Sequence, residues 1–521
     1  MEKYRDLFCR LCCGAAMFLC AVALLGLTKW GLSYISFMGE DELVGFYEIA
    51  LTDRLWGVAA IAVAAAVLGW LARGERVMRA VTAAGVCLTA GQALFWLWCT
   101  KAEPFADSLF CLQAAQGAVQ GDWSAFQQGG YMYRYPFQSG LVALEEAVLR
   151  LAGSWDAALI WLRWINFLAL MLLAVSVCRI AFHLFGPKAQ MVTSVLLVCS
   201  VPVARYVFFL YGNLLSTALG FAAVWTALRW LDTRKARFGL ISAGLLAAAM
   251  TIKSTALIML VAIAIVAVLD SIRTGRWRQL LAVAAAVVFA FLPGKGFQYW
   301  YSLRSGVPVQ PGTATVVWLV MGLDSRPEQY EFAPGWHTAD KRSEKAYENA
   351  GFDYERMKQE QTQELKEQLR YWVNNPSRAK TFLRQKTVSQ WLDPGFGSWL
   401  YLRRNTEPVH AQDYQEQLFA QSWNEGLNPF LGCLQTAVYL LGLVGAVRLM
   451  LRPSPASILP ALVFFGGVFY LTLSEGKSQY AVSFYPMLLP VAALGAGTLQ
   501  AGCGLLAARV KKRIVARKNG A

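Results

Sequence analysis

Residues 101–140 read KAEPFADSLFCLQAAQGAVQGDWSAFQQGGYMYRYPFQSG, a stretch flanked by long apolar segments and itself too polar to cross a bilayer. It is nevertheless patterned. Phe105, Leu109, Leu112 and Val119 recur at helical spacing, with Asp107, Gln113 and Gln120 off that stripe. After the turn signal Gly129-Gly130 a second run begins, in which Leu141, Leu144, Val148 and Leu151 share a face. Two short amphipathic helices between spans predict a pair lying in the membrane interface, apolar sides down. Asp107 stands at the entrance of the first, and Tyr131, Tyr133 and Tyr135 lead into the second. This layout holds a carboxylate at the membrane surface, where a lipid-linked and a water-soluble reactant can meet.

Outward from this loop the chain is apolar. Of its 521 residues 56% are hydrophobic and 16% charged, too little polar surface for a soluble protein of this size. Apolar runs of roughly 18 to 22 residues recur, the length that crosses a bilayer core of about 30 Å. Twelve spans are expected. The first follows the basic leader Lys3, Arg5 and Arg10 and reads as an anchor, since no small-x-small cleavage site follows it. The others centre near residues 63, 89, 168, 198, 222, 245, 262, 287, 440, 465 and 493. The net charge of +15 comes as short basic clusters between spans, with no RNA- or DNA-binding motif, which points to orientation and anionic headgroups and away from nucleic acid. The eleven cysteines lie mostly within or beside spans and read as small packing residues.

The basic clusters alternate along the chain. Arg73/Arg76/Arg79, Arg179/Lys188, Arg229/Arg234/Lys235/Arg237, Arg273/Arg276/Arg278, Arg448/Arg452 and the tail RVKKRIVARK fall on one side if the N-terminus lies inside. The expectation is a multi-pass protein of a bacterial cytoplasmic membrane with both termini cytoplasmic. The chain then divides into a membrane core, 1–293, with a catalytic outer loop at 100–155; an extracytoplasmic region, 294–428; and closing spans with a basic tail, 429–521. Within the outer region, 338–369 is rich in Lys, Glu and Gln and reads as exposed helix. Trp372, Phe382, Trp391, Phe396 and Trp399 are placed to pack it onto the membrane core.

Asp107 is the first chemical candidate. A carboxylate beside an apolar interface is poorly solvated and gains basicity, which suits a general base. The competing reading is an N-terminal helix acid that caps. Asp41 and Glu42, after the first span, are its rivals as base. At the mouth of the last span pair, SEGKSQYAVSFYP brings Glu475, Lys477, Gln479 and Tyr480 together. Lys477 with Tyr480 suits a lipid phosphate, Glu475 a sugar hydroxyl or Lys477 itself; a snorkelling pair is the plainer reading. Lys253 stands between two spans with almost no loop, where a cation needs a headgroup, partner or ligand. Arg205 and Arg134 are further cations on that side, for which a headgroup contact is the plainer reading; as site residues, Arg205 suits the lipid phosphate and Arg134, with Tyr135 and Gln479, the substrate. The sequence holds no dense carboxylate cluster for magnesium, so no cofactor is expected and a divalent metal is optional.

The order of these features resembles the GT-C glycosyltransferases: an acid in an amphipathic outer loop, a Tyr135-Pro136 motif, Lys253-Ser254 between spans, and E-x-K-S-Q-Y-x(5)-P at the closing span. Within them the chain is similar to the bacterial branch of protein O-mannosyltransferases and lipid A aminoarabinose transferases. The resemblance implies inverting transfer of a sugar from a polyprenyl phosphate to an extracytoplasmic acceptor, whether cell-wall polymer, lipid, glycan or protein. It implies Asp107 as catalytic base and Lys253, Lys477 and Tyr480 as donor-phosphate contacts. Gln479 stands where relatives often carry Arg, which shifts weight to Lys477. A transporter or flippase for a polyprenyl-linked or amphipathic substrate is the alternative, since twelve spans with both ends inside is also a transporter layout.

Overall fold

The long apolar runs fold as helices, because lipid offers no partner for an unpaired peptide group. A computed structural model describes residues 2–38, 43–72, 74–324, 333–336, 341–403 and 421–519. In chain order these form α1 (Glu2–Gly31), a hairpin of β1 (Tyr34–Met38) and β2 (Val44–Glu48), α2 (Leu51–Leu71), α3 (Glu75–Cys99), α4 (Ala106–Gln120), α5 (Ser139–Ala152), α6 (Trp155–Phe185) and α7 (Pro187–Cys199). There follow α8 (Asn213–Thr233), α9 (Ala236–Ile252), α10 (Leu257–Thr274), α11 (Arg278–Ser305), α12 (Thr315–Gly322), α13 (Arg342–Asn349), α14 (Tyr354–Asn374) and α15 (Pro376–Trp391). The last three are α16 (Gln421–Leu451), α17 (Leu459–Leu473) and α18 (Tyr485–Asn519). The protein is an all-α polytopic membrane protein.

Among the described residues nine helices are long and apolar enough to span, or ten if α7 and the turn Pro202–Phe208, bent by 63°, count as one. The two other segments expected to span, near 245 and 465, are α9 and α17, of 17 and 15 residues. Twelve spans is therefore more than length and composition support. The break in the bent pair falls at Pro202, whose ring removes a helix donor.

α11 runs unbroken through Pro293 to Ser305, and α16 begins at Gln421, ahead of residue 429. A single proline leaves a transmembrane helix continuous when neighbours satisfy the freed carbonyl. The β1–β2 hairpin was not foreseen. Its ladder pairs Tyr34 with Glu48 and Met38 with Val44, and its tip, with Asp41 and Glu42, lies outside the described residues. Ser36 donates to Val388 O at 2.7 Å, which ties the hairpin to α15.

All eleven cysteines are free thiols. Cys9 and Cys12 stand at C-x-x-C spacing, yet on α1 they are neighbours in a helix, and Cys9 Sγ donates to Leu269 O of α10.

The outer region docks through aromatics. Trp391 meets Phe464, Phe396 meets Tyr485 and Trp399 meets Trp96, each with ring centroids within 6 Å. A second small core of Val317, Tyr347, Ala350 and Met357 receives Tyr133 from the loop before α5. Tyr133 lies 6.0 Å from Tyr347 and 5.7 Å from Phe352. The outer helices therefore fix the loop that the sequence singles out.

Candidate active site

α4 starts under strain. Its N-cap is Phe105, with no side-chain cap, and Ala106 takes φ 48°, a left-handed conformation that costs a non-glycine residue about 1–2 kcal/mol. Asp107 is the second helical residue. Its half-buried carboxylate accepts no hydrogen bond among the described residues, so it does not cap. The approach to it is clamped: Arg163 of α6 donates to Ala102 O at 2.8 Å, and Phe105 stacks on Tyr401 at 5.6 Å.

Four buried phenols lie within electrostatic reach of that carboxylate. Burial raises the pKa of Tyr131, Tyr135, Tyr211 and Tyr480, and the negative charge of Asp107 adds to the rise in all four. Glu475 adds to it in Tyr135 and Tyr480. Lys253 closes the ring. It is 7% exposed, at the end of α9, with its ammonium 2.9 Å from the centroid of the Tyr211 ring. Burial pushes Lys253 down to about 7, against the opposing pull of Cys111, Asp107, Glu475 and Glu145. Tyr211 is oriented by Gln138, which donates to its hydroxyl at 2.6 Å, and its oxygen lies 3.3 Å from that of Tyr131.

Of the nine residues chosen from sequence, the structure gathers Asp107, Tyr135, Lys253, Glu475 and Tyr480. Lys477 lies on the same short loop, its ammonium 4.3 Å from the centre of the Trp336 ring. The other three are engaged elsewhere. Arg205 is fully buried between Trp399, 3.6 Å away, and Trp96, 5.1 Å away, so it belongs to the interior and not to a surface that a phosphate reaches. The Gln479 amide oxygen accepts from Tyr401 and its carbonyl from Tyr206 at 3.4 Å, which makes it a latch for its own loop. Arg134 holds α12 through its backbone, its carbonyl accepting from Thr313 N at 2.8 Å and Thr313 Oγ1 at 3.0 Å.

The Glu475–Tyr480 loop is held by two buried charges that sequence reasoning missed. Lys386 of α15 donates to Gly322 O, Thr472 O and Ser474 O at 2.5, 2.9 and 2.5 Å. These are terminal carbonyls of α12 and α17, which lack intrahelical donors. Asp393 accepts from Gly395 N at 2.9 Å, Gly397 N at 2.7 Å and Ser478 Oγ at 2.7 Å.

α5 also departs from its expected face. Leu141 and Val148 are buried, Leu151 is 74% exposed, and Glu145 and Glu146 point inward. Glu146 accepts from Arg304 and Arg150, both at 2.7 Å, and from Tyr301 at 2.7 Å. Burial alone would raise its pKa, but those donors outweigh it and hold it below the usual range. Glu145 has no such partners and burial pushes it well above that range. Paired acids on an otherwise apolar face were the signal that could have found them.

The chain was compared with known proteins. Residues 144–300, from within α5 to within α11, match the family described as dolichyl-phosphate-mannose-protein mannosyltransferase. No curated protein sequence matches the chain. Among solved structures it is similar to the archaeal oligosaccharyltransferase AglB from Archaeoglobus fulgidus, in complex with an inhibitory peptide and a dolichol-phosphate, with 11% identity and a TM-score of 0.41. That likeness covers 83% of this chain and 52% of the other, so the chain spans about half the length of that protein. Over the matched residues the chain is thus similar to GT-C membrane glycosyltransferases of the mannosyltransferase family.

Proposed function

We propose that the protein is a GT-C glycosyltransferase that moves a sugar from a polyprenyl phosphate to an extracytoplasmic acceptor, with inversion. The observation that carries this is the Asp107 carboxylate, on strained backbone and with no capping bond, whose charge acts on four buried tyrosines and on buried Lys253. The family match over residues 144–300 supports the same reading. Asp107 takes the proton from the acceptor hydroxyl as its oxygen attacks the anomeric carbon. The bond from that carbon to the phosphate oxygen breaks on the opposite face, and polyprenyl phosphate leaves with the electron pair. Such a leaving group needs little acid catalysis, so positioning and charge balance carry the rate.

Lys477 and Lys253 balance the phosphate charge, and Tyr480 and Tyr135 line the space between donor and acid. Glu475, on the same loop as Lys477, is the residue proposed to meet a sugar hydroxyl. No cofactor enters this scheme, and chelation of divalent metal should leave transfer intact. In this proposal both termini are cytoplasmic and the Asp107 site faces outward from a bacterial cytoplasmic membrane, a reading supported by the positive-inside rule applied to the basic loops.

The test is transfer of radiolabelled sugar from a polyprenyl phosphate to membrane acceptors by purified protein without an ion gradient. Transfer that needs Asp107 supports the reading. Gradient-dependent movement of lipid with no new glycosidic bond replaces it with transport.

A further inference from the structure

The end of the bundle away from Asp107 holds a second feature, independent of the transfer chemistry. α8, α9, α10 and α11 line an open apolar cleft of about 700 Å³, within the roughly 300–1,000 Å³ typical of small-molecule sites. Its walls are mostly small: Gly239, Ala243 and Gly244 of α9 face Ala282, Ala285 and Ala286 of α11. Small residues ordinarily let membrane helices close together. Here they leave a cleft, and the exposure of Leu240, Gly244, Ala282, Ala285 and Phe289 opens it to the lipid side, where an unfilled space would forfeit dispersion contacts along its lining. The hydroxyl of Ser242 in the wall is already spent, donating to Ala223 O at 2.9 Å. Nothing in the cavity therefore favours a polar guest.

Its length and its mouth narrow the choice. Along α9 the lining runs from Ala236 to Leu246, about 15 Å at 1.5 Å per residue. Half of a bilayer core of about 30 Å is the same length, so the cavity spans one leaflet. It begins beside the α8–α9 and α10–α11 turns, which are joined by Arg234, bonded to Asp270 at 2.6 Å and to Gln279 at 3.2 Å. Around that junction stand Lys235, Arg237, Arg276 and Arg278, all exposed and in no ion pair among the described residues. Trp277, 55% exposed, marks the headgroup level. Four uncompensated cations above a hydrocarbon slot match an anionic head on an acyl chain.

We propose that this cavity binds one acyl chain of an anionic phospholipid from the leaflet opposite the Asp107 ring, with the phosphate held by the cations of the two turns. The donor's polyprenyl chain is the less fitting guest, because its phosphate is assigned to the other end of the bundle.

The full-length protein is placed in phosphatidylcholine vesicles with a minor fraction of phosphatidylglycerol whose acyl chain carries a diazirine, and adducts are mapped by peptide mass spectrometry after irradiation. Adducts should concentrate on Ala243 and Ala286 and fall at least about tenfold when the same chain is carried by phosphatidylcholine, given the pull of several cations on an anionic head. Combined Lys235→Gln, Arg237→Gln and Arg278→Gln should abolish that preference, and Ala243→Phe should displace the adducts from the cavity. Size-exclusion profile and melting temperature identify a variant that fails to fold, and the wild-type comparison stands without any variant. Equal labelling by the two lipids overturns the proposal. So do adducts spread evenly over lipid-facing helices, or cavity labelling removed by competing polyprenyl phosphate.

Discussion

Asp107→Asn separates a base from a structural acid, and the geometry sets both magnitudes. Asparagine keeps the size of the side chain but cannot take the acceptor proton. Because the N-cap is Phe105 and Asp107 makes no capping bond, the substitution forfeits no cap. What it loses is the attraction of a first-turn carboxylate for the α4 dipole, about 0.3–1 kcal/mol. The strained Ala106 and the clamp from Arg163 to Ala102 O are untouched. The variant should therefore insert, purify and melt close to wild type. Transfer is another matter, since a positioned base contributes about 10² to 10⁴ in rate. Single-turnover transfer from labelled donor, with donor binding measured separately, should show chemistry reduced at least a hundredfold and binding retained. Normal transfer by Asp107→Asn refutes the assignment. Loss instead in Asp41→Asn or Glu42→Gln would move the base to the hairpin tip.

Lys477→Ala and Lys253→Ala should each raise the donor concentration needed for half-maximal transfer about tenfold to a hundredfold, from charge-assisted contacts worth about 1.5–3 kcal/mol; unchanged donor dependence in both would leave them as structural cations. Burial pushes Asp393 up from 3.8 to about 6. Its folded form thus holds a proton more tightly than the unfolded chain, and its contribution to stability is whole below pH 3.8 and fades as pH rises through about 6. Asp393→Asn should flatten the change of melting temperature across that window, and an unaltered profile would count against the shift. For topology, single cysteines at exposed Gln113 and Glu348 in a cysteine-free background should label with an impermeant thiol reagent in intact cells, and one at Lys235 only after lysis. The reverse pattern would put the Asp107 ring in the cytoplasm.

The spans were legible because one length and one composition define them, and helix is the form a single chain takes there without outside partners. The two shorter helices show the limit of that rule. α9 and α17 have spanning composition but not spanning length, at 17 and 15 residues, and each packs on its neighbours along one part of its surface. At the site, the residues found from sequence were those whose type is costly where they stand: Lys253 between two spans, Asp107 beside an interface, Lys477 at a helix mouth. Arg205 looked the same by that criterion. Its charge is met instead by the faces of Trp96 and Trp399, brought in from α3 and from the loop after α15. No local pattern announces such a partner. Tyr211 was missed for the converse reason: a tyrosine in an aromatic run looks like packing until Gln138 and Lys253 are seen to meet it.

The ring around Asp107 is assembled from a helix start, the turn between α9 and α10, the turn after α17, and the irregular chain near Tyr135 and Tyr211. None of these can hold its own geometry through a backbone ladder. Each is tied by polar groups placed behind it: Arg163 behind Asp107, Lys386 and Asp393 behind the Glu475–Tyr480 loop, Thr313 behind Tyr135. Burying such groups gains less stability than an apolar core of the same shape would give. A purely apolar core would fix the spacing of the helices but leave the turns between them free to slide. Directional bonds to carbonyls at helix ends remove that freedom, and they do so at the places where an acid, a lysine and four phenols have to meet. The cleft at the other end is lined mostly by apolar side chains, with its polar bonds confined to Ser242 in the wall and the Arg234 junction at the mouth, and exposed cations around that junction. That contrast fits two different tasks: positioning reacting atoms at one end and accommodating a flexible chain at the other.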